Sequence, residues 1–231
     1  MSNVVTNIDL VRRRIDEAAS RGGRSPFEVT LIAVTKTVEP ERIREAVSAG
    51  IREIGENRVQ EGKAKKPELP SGLVWHLIGP LQTNKVKVAL QTFDFIHSLD
   101  RVELAAELHR RAVEREQAVP VLVEVNVAGE ASKHGLAQGE TFEFIRRVSA
   151  LDGLRIQGLM TVAPFVEDPE EVRPVFQTLR QLAARVRDEG LSGVEMKYLS
   201  MGMSGDFEVA IEEGSNLVRI GSAIFGARPA G

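Results

Sequence analysis

Leu31-Ile-Ala-Val-Thr-Lys36 is an apolar, β-branched run of strand length that ends in a lysine. Pro40 and the charged, helix-like pattern after it stop the strand, so residues 29–36 are predicted as β. In a strand Ile32, Val34 and Lys36 share one face. Ile32 and Val34 read as core, so Lys36 points inward at the carboxyl end. An ammonium buried without a partner is costly. Two readings follow. Lys36 snorkels out or pairs with a carboxylate, or its amine forms a Schiff base with a carbonyl compound, as desolvated lysines do.

The pattern around this strand selects the fold. An amphipathic helix precedes it over 5–21, with Val5, Ile8, Val11, Ile15 and Ala18 at helical spacing, and Arg21-Gly-Gly-Arg-Ser-Pro26 breaks it. After the strand, short apolar runs alternate with helical segments. Further strands are predicted at 51–57, 74–79, 93–98, 121–127, 154–161, 195–200 and 217–221. The helices between them fall at 40–49, 57–66, 83–91, 101–117, 139–151 and 169–189, with short turns from Asp206 and Ser222. Helix 57–66 is basic and polar, with Asn57 as its N-cap candidate and Lys65 as a surface lysine. Eight strands, each followed by a helix or helical turn, predict an α/β fold, a (β/α)8 TIM barrel, as a single domain over 1–231 with an extra N-terminal helix. A doubly wound open sheet would carry a glycine fingerprint after its first strand, and Thr35-Lys36-Thr37-Val38 has none.

Composition removes several function classes. The net charge of -3 gives no electrostatic case for nucleic acid or an anionic membrane. With no cysteine, disulfides, thiolate metal sites and cysteine nucleophiles are excluded. His76, His97, His109 and His134 have no metal-ligand spacing, so no metal is expected. No apolar run approaches the roughly 18 residues that span a bilayer. The N-terminus does not read as a signal peptide, and a cytoplasmic protein is expected.

Barrel sites lie at the carboxyl ends of the strands. There the sequence places Lys36, Asn57, His76, Asn126, Ser200, Ser204, Arg219 and Ser222. The last two strand-to-helix loops, Ser200-Met-Gly-Met-Ser-Gly-Asp206 and Arg219-Ile-Gly221-Ser222-Ala-Ile-Phe-Gly226, are glycine-rich and carry hydroxyls. Backbone N–H groups of such loops approach an anion closely, and helix starts favour negative charge. Together they predict a phosphate site. Arg219 shares a face with Leu217 and Gly221 and needs an inward partner, either a carboxylate such as Glu56 or Glu124 or a ligand ring nitrogen. A guanidinium only donates, so that nitrogen would stay unprotonated. Lysine, phosphate cradle and ring-nitrogen donor together match pyridoxal phosphate binding. His76 or Trp75 is placed to pack against a ring, Lys133 to reach a phenolate or phosphate, and Tyr198 to fill the barrel.

These residues lie in a longer series of motifs. They include Ala33-Val-Thr-Lys36, Gly55-Glu-Asn57, Trp75-His-Leu-Ile-Gly-Pro-Leu-Gln-Thr-Asn-Lys85, Ser132-Lys133-x-Gly135, Gly158-Leu-Met160, Leu199-Ser-Met-Gly-Met-Ser204 and Val218-Arg-Ile-Gly-Ser222. In this series, which runs from about residue 7 to 228, the chain resembles the YggS/PROSC family of pyridoxal phosphate homeostasis proteins. The resemblance implies a barrel like the N-terminal domain of alanine racemase without its second β-domain. It implies pyridoxal 5'-phosphate on Lys36, Arg219 facing the pyridine nitrogen, and phosphate contacts from Ser200, Ser204, Gly221 and Ser222. Asn57, His76 and Lys133 are carried over as nearby residues of matching motifs, Asn57 and His76 as cofactor-binding. Thr161 departs mildly from the family pattern.

The function so implied is a cytoplasmic, monomeric carrier that holds the cofactor and delivers it to pyridoxal-phosphate-dependent apoenzymes, without turnover. The alternatives are a small racemase-like enzyme and a lysine aldolase. A two-base racemase needs a second acid/base, which the related enzyme takes from its β-domain.

Overall fold

The computed structural model describes residues 3–130 and 133–226. The lysine stretch forms β1 (Thr30–Val34), and the chain then alternates as expected. The other strands are β2 (Glu53–Glu56), β3 (Val74–Leu77), β4 (Phe95–Leu99), β5 (Val119–Asn126), β6 (Leu136–Ala137), β7 (Leu154–Met160), β8 (Val194–Ser200) and β9 (Leu217–Ile220). The helices are α1 (Val4–Arg21), α2 (Pro40–Ser48), α3 (Val59–Lys65), α4 (Val86–Thr92), α5 (Val102–Glu114), α6 (Gln138–Val148), α7 (Arg173–Asp188), α8 (Phe207–Glu212) and α9 (Ser222–Phe225).

Strand order β4-β3-β2-β1-β9-β8-β7-β5, with β4 also paired to β5, closes a parallel eight-stranded barrel. The short β6, unforeseen in a polar loop, adds to β5 outside the ring. Alternation sorts the side chains. Ile32, Phe95, Leu122, Met160 and Leu217 fill the barrel with Tyr198 against them. Ala33, Ile54, Trp75 and Ile96 face the helices in the larger outer core. Trp75 thereby packs on Phe93 at 6.5 Å between rings, and only its neighbour His76 turns inward.

Helix α1 buries Val4, Ile8, Val11, Ile15 and Ala18. It starts at Asn3, whose side chain accepts from the Thr6 N–H, and lies against α2, α8 and α9. There it completes the helical layer where α8 and α9 are too short to do so. Among the described glycines, Gly158 makes the tightest approach. At φ +155° its hydrogen sits where a Cβ would come within 1.9 Å of the Tyr198 carbonyl oxygen. The register of β7 shifts there against β5 and β8. Among the described residues, no helix is long and apolar enough to cross a membrane, and no three His, Asp or Glu side chains gather as a metal site.

Candidate functional site

A cavity of about 500 Å³ opens at the carboxyl end of the barrel. Lys36 reaches it from just past β1, and Arg219 from β9 beside it. Asn57, Ser204, Gly221 and Ser222 also line it, so six of the expected residues meet on one cavity. Lys133 and the 162–166 loop complete one wall, and Met203 to Asp206 another. Ser132 lies outside the described residues.

Lys36 stands past the end of the sheet, on a turn that other residues hold. The Thr35 N–H still donates to Gly55 O at 2.9 Å, which continues the ladder by one residue. Thr37 has φ 61°, costly for a β-branched residue, and its N–H is taken by Glu61 Oε1 at 2.5 Å. Lys65 fastens this turn from below. Its Nζ donates to Thr35 O at 2.7 Å and pairs with Glu56 at 3.0 Å and Glu61 at 2.6 Å. Lys65 is therefore buried, contrary to its expected place on the surface. Glu56 is fully buried and its carboxyl is pushed above the usual range, because burial outweighs the contacts from Thr35 and Lys65. Asn57 does not cap α3, which starts two residues later behind Arg58. Its backbone instead lies against Gly79, where a Cβ would come within 2.4 Å of Asn57 O.

Arg219 has neither of the expected carboxylates as an ion-pair partner. Its Nη1 donates to Ser200 Oγ at 2.7 Å and its Nη2 to Thr161 O at 2.8 Å. Glu56 is engaged by Lys65, and Glu124 acts on Arg219 only as a nearby charge. Burial lowers the guanidinium to about 10, against Asp206 and Glu124, which leaves it charged at neutral pH. Glu124 itself rises to about 7, through burial and the Asp100 charge, with Arg219 opposing. The Thr161 main-chain carbonyl thus orients Arg219.

Two expected residues stand behind the cavity. Ser200 and His76 are buried and do not line it. Both points follow from strand parity and height: their side chains enter the barrel below the rim. They belong to a chain from Arg219 through Ser200, His97 and His76 to Glu53. Sequence reasoning missed His97 and Glu53 because nothing local marks a contact between strands 21 residues apart.

The two glycine-rich loops are joined by the Ala223 N–H, which donates to Ser204 Oγ at 3.2 Å. Asp206 turns one oxygen to the Met203 N–H at 2.5 Å. Gly205 presents bare backbone to open space, and a Cβ at Gly221 would stand 3.2 Å from Val34 O. Three cations, Lys36, Lys133 and Arg219, face one carboxylate, Asp206, in this lining. Lys133 is itself paired with Glu130 at 2.7 Å. Small size, bare amides, hydroxyls and positive charge fit a phosphorylated, ring-sized ligand with a carbonyl group.

Residues 6–229 match the family described as alanine racemase, N-terminal domain. The pyridoxal phosphate homeostasis protein of Aquifex aeolicus is 44% identical over 98% of this chain and 99% of its own length. That of Escherichia coli K12 is 42% identical over 99% and 98%. PipY of Synechococcus elongatus, solved with PLP bound, superposes with a TM-score of 0.80 at 37% identity, over 92% of this chain and 100% of that one. An alanine racemase of Clostridium difficile shares the fold alone, with a TM-score of 0.77 at 14% identity, over 99% of this chain and 57% of that one. The chain belongs to the alanine racemase N-terminal domain family, among the pyridoxal phosphate homeostasis proteins.

Proposed function

We propose that this protein holds pyridoxal 5'-phosphate in the cavity at the carboxyl end of its barrel and serves to keep and deliver the cofactor. The observation that carries this reading is the meeting of Lys36, Arg219 and the two glycine-rich loops on one cavity. The names of its relatives and the PLP bound in PipY support it. The cofactor supplies an aldehyde that condenses with an amine, losing water, to a Schiff base. Lys36 is the proposed amine, held in place by the turn that Lys65 and Glu61 fasten. Arg219 would donate to the ring nitrogen and keep it unprotonated. Ser204, Gly221 and Ser222 would take the phosphate, with Asn57 beside the ring. His76 and Ser200 would act on the ligand through Arg219, by holding the guanidinium.

The same reading makes the protein a cytoplasmic monomer that passes cofactor to apoenzymes and does not sustain turnover of amino acids. An unprotonated ring nitrogen weakens the electron sink that amino-acid chemistry draws on. Titration with pyridoxal phosphate tests the reading: a visible absorption band should grow to one equivalent, and borohydride should bleach it irreversibly. A protein that stays colourless, or from which the reduced pyridoxyl group dialyses away after borohydride, would contradict it. In a chiral assay of the loaded protein, amino acids should change the spectrum without sustained racemisation.

A further inference from the structure

One polar chain crosses the barrel interior and is not needed to line the cavity. It runs from Arg219 Nη1 to Ser200 Oγ (2.7 Å), on to His97 Nδ1 (3.0 Å), from His97 Nε2 to His76 Nδ1 (2.9 Å), and from His76 Nε2 to Glu53 Oε2 (2.6 Å). Four strands besides β9 contribute to it. His97 and Ser200 are fully buried, and His76 and Arg219 nearly so. Glu53 is the first residue of β2, at the end of its strand away from the cavity, and keeps 26% of its side chain exposed.

The chemistry of the two ends gives the chain a direction. A guanidinium only donates and an ionised carboxylate only accepts. Ser200 Oγ therefore accepts from Arg219, and its own proton goes to His97 Nδ1. The His97 proton then lies on Nε2 and is donated to His76 Nδ1. The His76 proton in turn lies on Nε2 and is donated to Glu53. Every donor meets one acceptor: with neutral rings Glu53 takes the His76 Nε2 proton, which leaves His76 Nδ1 to accept from His97, and the Ser200 hydroxyl fits that sense. The rings need no positive charge for this. For His97, burial first, then the neighbouring His76 and Arg219, hold it well below the usual histidine range. Reversing the chain would put protons on both nitrogens of His76, fill both lone pairs of Ser200 Oγ from His97 and Arg219, and leave the Ser200 proton with no partner in the chain.

We propose that Glu53, His76 and His97 are positioning residues for Arg219, forming with Ser200 a one-way hydrogen-bond chain that aims the Ser200 hydroxyl away from the guanidinium and so holds Arg219 as a donor facing the cavity. Its use to a ligand rests on the reading that Arg219 serves the cofactor's ring nitrogen. The chain itself is a property of the ligand-free protein.

Nitrogen NMR on the ¹⁵N-labelled, ligand-free protein tests it. Both rings should be bare at Nδ1, with a scalar coupling across the hydrogen bond between His97 Nε2 and His76 Nδ1. A proton on Nδ1 of either ring overturns the proposal. Glu53→Gln replaces the anion at the chain's end by a neutral amide. It should shift the ring signals of His76 and His97 and also the Nη–H signals of Arg219. In a His97→Phe background the same change should leave Arg219 unmoved. An Arg219 that ignores Glu53→Gln overturns the chain, as does one that responds equally without His97. Should His97→Phe not fold, the wild-type tautomers and Glu53→Gln still decide the matter. A protein that shows the response yet binds no pyridoxal phosphate contradicts the cofactor reading alone. Bound cofactor without the response contradicts the chain alone.

Discussion

Glu124 shows how a single buried group stores a pH response in this barrel. Its carboxyl is raised to about 7 from an ordinary 4.5, first by burial and then by Asp100, with Arg219 pulling the other way. The folded state thus binds this proton more tightly than the unfolded chain. The stability it contributes is fully present below pH 4.5 and is lost as pH rises through about 7. At about 1.4 kcal/mol per pK unit, that loss is on the order of 3 kcal/mol. Glu124→Gln should remove most of it, so that urea unfolding at about pH 5 and about pH 8 differs less in the variant than in the wild type. Equal pH dependence in both proteins would show that Glu124 stays ionised in the fold. Lys65 is a second residue whose environment sets its importance. Breaking a buried pair from one side typically costs about 3–5 kcal/mol. Lys65→Ala should cost that much in urea unfolding, because it strands Glu56, while Lys65→Met with Glu56→Gln should cost clearly less.

At the scale of elements, the strands were legible wherever apolar residues alternate or run between turn residues. The differences fall where the chain leaves regular structure. Thr35 and Lys36 read as strand because of their β-branched context, yet only Thr35 continues the ladder and the backbone then turns through Thr37. Asn57 reads as a cap because it precedes a helical pattern, but the chain spends two residues crossing Gly79 before α3 begins. The cavity residues were legible once the barrel was, since carboxyl strand ends converge by topology. Lys65 and the Glu53–His76–His97 contacts were not, because burial and pairing across strands have no local signature. Gly158 carries the clearest element-level prediction. Gly158→Ala would drive a Cβ into the Tyr198 carbonyl oxygen at 1.9 Å, which only separation of β7 from β8 relieves. The expected loss is at or above the roughly 1–3 kcal/mol of ordinary overpacking. Thermal unfolding within a degree of wild type would mean that the crossing is looser than described.

At the scale of the whole molecule, an acidic chain presents a positively charged cavity. Its net charge is -3, yet the cavity lining holds three cations and one carboxylate, set against two loops of bare amides and hydroxyls. With the two loops as the proposed phosphate cradle, unphosphorylated pyridoxal would forgo their contacts. Charge-assisted hydrogen bonds contribute roughly 1.5–3 kcal/mol each, so pyridoxal phosphate should bind orders of magnitude more tightly than pyridoxal. Equal affinities in parallel titrations would remove the phosphate cradle. In the proposed function one amine carries the cofactor, and the cavity offers two, Lys36 and Lys133. Borohydride reduction of the loaded protein followed by peptide mass mapping separates them. The added pyridoxyl mass is expected on the peptide containing Lys36 and should be lost in Lys36→Ala; the same mass on the Lys133 peptide of the unmutated protein would rule out Lys36 as the carrier.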